Sequence, residues 1–122
     1  MYRMQAQRQE LLNQLAGHGW RVASQEEELE WWADEMWRIE SLWSPVGSLA
    51  YVTFLVDPQS HHERKRGEDV WAVMASIARP VSRLNVEGEF TVSLGRGWKR
   101  ELPAFFEHLA FLRRQQSEAN SP

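Results

Sequence analysis

The stretch SLAYVTFLVD, residues 48–57, restricts what this chain can fold into more than any other. It is rich in β-branched and aromatic residues, follows a turn signal, SPVGS at 44–48, and is ended by Pro58, so it reads as a strand. Strand alternation puts Ala50, Val52, Phe54 and Val56 on one face and Leu49, Tyr51, Thr53 and Leu55 on the other. A strand apolar on both faces asks for cover on both, which demands a sheet with a further layer. The chain has 122 residues, the size of one domain with an ordinary core.

Two more strands are predicted at 70–78 (VWAVMASIA) and 89–94 (EFTVSL), the second with Phe90, Val92 and Leu94 inward. Pro80 closes the first, and NVEGE at 85–89 is a turn signal. The spacing of Met4, Leu11, Leu12 and Leu15 predicts a helix over 3–16, stopped by Gly17 and Gly19. A closing helix over 101–115 carries Leu102, Phe105, Phe106, Leu109 and Leu112 on one stripe. Pro103 suits its first turn, and Arg113 and Arg114 suit its negative end.

The segment between the first helix and the 44–48 turn carries two periods at once. WRVA at 20–23 reads as a short strand. Ser24 and Glu27 have capping-box spacing, and Leu29, Trp32, Met36, Ile39 and Trp43 continue a helical stripe. Yet Trp37, Ile39, Ser41 and Trp43 also alternate with Arg38, Glu40, Leu42 and Ser44. A hairpin turn needs a strand directly before it, which favours a short helix at 25–33 followed by a strand at 35–43, with Trp37 and Trp43 in the core. One helix over 25–43 is the alternative.

The expected fold is therefore α+β: a two-layer sandwich in which an antiparallel sheet of 4–5 strands is covered on one face by the N- and C-terminal helices. The order is α-β-(short α)-β-β-β-β-α. A single domain over 1–116 is followed by a disordered polar tail at 117–122. This order, with Trp71 at the start of one strand, is similar to that of the frataxin fold, a helix, an antiparallel sheet and a returning helix. The likeness is one of element order and implies no site residues.

Cysteine is absent, which excludes disulfides and thiolate chemistry and fits a reducing compartment. The first twenty residues hold no apolar run of signal-peptide length, and no segment approaches the roughly 20 apolar residues of a membrane helix. A cytoplasmic protein is expected. The net charge of −3 divides into −5 over residues 1–60 and +2 over 61–122, a dipolar distribution that argues against a general nucleic-acid binder. Seven tryptophans are several times the usual share and supply core or contact surface with few residues.

Three stretches carry candidate sites. In EEELEWWADE at 26–35, Glu27, Glu28 and Glu30 stand beside Trp31 and Trp32, which, being adjacent, cannot both face one way. An acidic, aromatic surface of this kind suits a basic protein partner. The acids lack the register of a calcium loop. The 57–69 connection exceeds hairpin length and carries His61, His62, Arg64, Lys65 and Arg66, a second protein-contact candidate. Adjacent histidines in extended chain point apart, so no metal and no cofactor is expected. In GRGWKRELP at 95–103, Arg96, Trp98, Lys99 and Arg100 lie where a glycine-containing turn opens a helix, a candidate anion or phosphate site. Its bland counterpart is a tight connection with Trp98 plugging the core. No Ser, His and Asp arrangement or G-x-S-x-G elbow supports nucleophilic catalysis; an enzyme would need a site scattered in sequence. The expected function is thus a small non-enzymatic domain that binds another protein, as a chaperone, an immunity-type inhibitor or an assembly subunit. The two-sided apolar strand adds a possible homodimer.

Overall fold

The computed structural model describes residues 5–60, 64–65, 67–81 and 89–119, with the backbone alone for 28–30 and 117–119. Helix α1 (Gln5–Gly17) leads into strands β1 (Trp20–Glu30), β2 (Ala33–Ser41), β3 (Leu49–Val56), β4 (Val70–Ser76) and β5 (Phe90–Ser93). A 3-10 turn at Trp98–Glu101 then runs directly into helix α2 (Leu102–Ala119). The strands lie side by side in chain order, each antiparallel to the next. This is the expected α+β architecture, with consecutive strands pairing across short and long connections alike.

The segment read as helix at 25–33 is strand instead. β1 continues through Glu30 and pairs with β2 along its length, from Trp20 opposite Ser41 to Glu30 opposite Ala33. The turn between them is Trp31–Trp32, and neither residue takes a positive φ. It carries none of the Asn-Gly or Asp-Gly chemistry that announces a two-residue hairpin. Register shifts between Val22 and Ser24 and between Glu27 and Glu30 take up the irregularity. β2 consequently starts two residues earlier than expected and ends at Ser41, leaving Trp43 off the strand. α2 reaches Ala119, past the expected end at 115, and residues 120–122 lie outside the described residues.

Both helices cover one face. Leu11 and Leu15 of α1, and Leu102, Phe105, Phe106, Leu109 and Leu112 of α2, close over Trp37, Ile39, Ala50, Val52, Phe54, Val73, Ala75 and Val92. The α2 stripe is the one predicted, and each such side chain contributes roughly 1.5–3 kcal/mol of burial. The helix layer is also tied by charge. Glu35, fully buried on this inner face, accepts from Arg8 Nε (3.0 Å to Oε2) and Nη2 (2.8 Å to Oε1), and from Trp37 Nε1 at 2.7 Å. The Arg8 guanidinium lies 5.6 Å from the Trp37 ring centre.

Among the described residues no helix lies on the outer face, where Trp32, Ala33, Met36, Leu55, Ala72 and Met74 form a second buried cluster with Tyr51 against it. Trp32 folds onto this cluster from the hairpin tip. Thr53 is fully buried between Met36 and Met74, and its hydroxyl finds no hydrogen-bond partner among the described residues.

The sheet has two blunted edges. β5 has four residues. β1 has eleven, but it carries four glutamates and two register shifts. Short length, charge and bulges are the devices that keep edge strands from pairing with other chains.

Candidate functional sites

The adjacent tryptophans at the hairpin tip separate cleanly. Trp31 is 59% exposed and Trp32 5%. Glu27 is exposed on β1, whereas the side chains of Glu28 and Glu30 fall outside those described. Asp34 and Glu35, the other two acids of this stretch, are buried and paired, so they add nothing to a surface. Asp34 Oδ1 accepts from Arg64 Nη1 at 2.7 Å and from the Gly67 amide at 3.0 Å. The acidic segment and the basic loop, which sequence separates into two surfaces, are thereby joined inside one molecule. Arg64 is committed to Asp34, and Lys65 remains exposed. His61, His62 and Arg66 lie outside the described residues. Among the described residues no group of His, Asp or Glu is arranged to hold a metal.

The 95–100 turn is occupied by its own hydrogen bonds. The amides of Trp98 and Arg100 donate to Gly95 and Gly97 carbonyls, both at 3.1 Å, and that of Leu102 donates to Lys99. Trp98 is half-buried against the inner core. What remains for an anion is the exposed set Arg96, Lys99 and Arg100, without a cradle of free amides at 98 and 100.

Two surfaces were missed from sequence. The first is the turn between β2 and β3. Trp43, expected in the core, is 52% exposed, with Leu42 at 54% and Val46 at 72% beside it. Its inner edge rests on Gly19 and on Arg113, whose guanidinium lies 4.4 Å from the Trp20 ring centre and 5.3 Å from that of Trp43. Arg113 also donates to the His18 carbonyl at 2.9 Å. The turn itself is pinned. Ser41 Oγ donates to the Trp43 carbonyl at 2.6 Å, the Gly47 amide to Ser41 at 2.9 Å, and Ser48 Oγ to Pro45 at 2.8 Å. The Ser44–Pro45 peptide is cis. Trp43 falls in step with Trp37 by alternation, and only the end of β2 at Ser41 removes it from the strand.

The second missed surface is a pocket of about 260 Å³ on the outer face, lined by Ser24, Glu26, Met36, Arg38, Tyr51 and Arg79. Arg79, three residues beyond β4, reaches across to Glu26 at 2.6 Å. That hydrogen bond holds the Glu26 carboxyl below its ordinary value, with smaller help from the charges of Arg79 and Arg38. Sequence gives no signal for it, because its residues come from three strands and a connection.

No protein-family model, curated protein or solved structure matches this chain. The fold and its surfaces define a small α+β antiparallel-sheet domain, and no relative supplies a function.

Proposed function

We propose that this is a non-enzymatic, cytoplasmic domain that binds another protein, and that the β2–β3 turn is its principal contact. One observation carries the reading: Leu42, Trp43 and Val46 stand exposed together on a turn that hydrogen bonds and the Arg113 stack hold rigid. Tryptophan is enriched among residues that dominate binding energy, and a contact already ordered loses little entropy on association. A second copy of the chain is one candidate partner.

The acidic hairpin end, with exposed Trp31 and Glu27, supports a second contact toward a basic partner. It lies at the other end of β2, roughly 25 Å away for a nine-residue strand. Pull-down with tagged protein separates the two. Loss of a captured partner with Leu42→Ser plus Val46→Asp, and retention with Trp31→Ala plus Glu27→Lys, is expected. The reverse pattern moves the contact to the hairpin end, and capture unchanged in both variants rules out both surfaces. Light scattering on the same variants reads self-association.

A further inference from the structure

The outer-face pocket has a chemistry that the protein-binding reading does not use. Ser24, Arg38 and Tyr51 are register partners on β1, β2 and β3, so their side chains form one row across three strands. Glu26 and Met36 are partners in the next row, two residues along. Arg79 enters from beyond β4 and is held by Glu26. Among the described residues, the Ser24 hydroxyl, the Arg38 guanidinium and the Tyr51 hydroxyl have no hydrogen-bond or ion-pair partner. Three donors without a hydrogen-bond partner among the described residues thus stand in a row beside the buried thioether of Met36 and the ring of Tyr51, with Arg38 acting on Glu26 through its charge alone.

We infer that this pocket binds a small organic monocarboxylate, with its carboxylate on Arg38 and the Ser24 and Tyr51 hydroxyls and its apolar body on Met36 and the Tyr51 ring. Charge selects the anion. Two guanidiniums and one carboxylate leave a single net positive charge, matched by one carboxylate rather than a dianionic phosphate. The planar guanidinium fork accommodates a carboxylate through two parallel hydrogen bonds. Size limits the body: about 260 Å³ is smaller than the roughly 300–1,000 Å³ pockets of drug-sized ligands, so one ring or a short chain fits.

Benzoate is a suitable probe, with benzyl alcohol and inorganic phosphate as comparators, followed by amide chemical shifts of the full chain. Saturable benzoate shifts confined to residues around 24–26, 36–38, 51 and 79 are expected, with the neutral alcohol and phosphate binding more weakly. Arg38→Gln, an exposed change that leaves the helix amides in place, lowers affinity about tenfold or more. Glu26→Gln releases Arg79, raises the net charge of the pocket and tightens binding. Shifts that do not saturate, that persist in Arg38→Gln, that phosphate reproduces at equal affinity, or that Glu26→Gln fails to strengthen would overturn the assignment.

Discussion

Gly19 adopts φ 77°, and a Cβ there would run into the Trp43 indole. Only glycine meets both conditions, since the left-handed region costs other residues roughly 1–2 kcal/mol. Gly19→Ala is expected to lose about 1–3 kcal/mol in urea denaturation and to release Trp43 from Arg113. A shift of tryptophan emission to longer wavelength would report that release, and an unchanged spectrum would contradict it. Thr53 presents the opposite case. Its hydroxyl is buried without a partner among the described residues, a desolvation loss with no hydrogen bond in return. Thr53→Val keeps the shape and removes the polar atom, so the unfolding midpoint should rise, by about 1 kcal/mol. A fall would mean that the hydroxyl is satisfied in solution.

At the scale of elements, β1 decides how the sheet meets solvent. Its glutamates looked like the first turn of a helix, with a capping serine before them. In the fold they line an edge strand, where like charges oppose pairing with a second copy. Replacing Glu27 and Glu28 by valine should remove that protection and produce concentration-dependent association in light scattering; a monomer at all concentrations would show that the bulges suffice. β1 is also tied across the outer face by the Glu26–Arg79 pair. Arg79 lowers the folded-state pKa of Glu26, so the stability from this pair is complete above about pH 4.5 and disappears as pH falls through the folded value. Both side chains are substantially exposed, so the effect is small. The melting temperature of wild type should exceed that of Glu26→Gln at neutral pH, and the two should converge in acid. A gap that stays constant with pH would assign it to something other than this charge.

Over the whole molecule, the buried ion pair of Arg8 and Glu35 links the helix layer to the sheet. Removing one partner of such a pair costs about 3–5 kcal/mol, a large share of the roughly 5–15 kcal/mol that holds a domain of this size. Glu35→Ala should therefore bring the chain near its unfolding threshold, lowering the urea midpoint without changing the slope; a loss below about 1 kcal/mol would mean that Arg8 finds water as readily as Glu35. The two-layer plan, the order of strands from β2 onward and the α2 stripe were legible in the sequence, because period and turn chemistry are local properties of the backbone. The β1–β2 hairpin was not, since a Trp-Trp turn without glycine or asparagine gives no turn signal. Of the adjacent pair left open in the sequence, Trp31 is the exposed one and Trp32 the buried one, while Arg64 proved to be an internal anchor and Trp43, expected in the core, a surface group. Sequence by itself determined which segments alternate and which wind. Tertiary structure alone decided which of two adjacent tryptophans faces out, that Asp34 and Glu35 are buried, and that Ser24, Arg38, Tyr51 and Arg79 share a pocket. The reason is distance along the chain: Arg8 meets Glu35, Arg64 meets Asp34 and Arg79 meets Glu26 only after the sheet has brought them together, and no local pattern records such pairs.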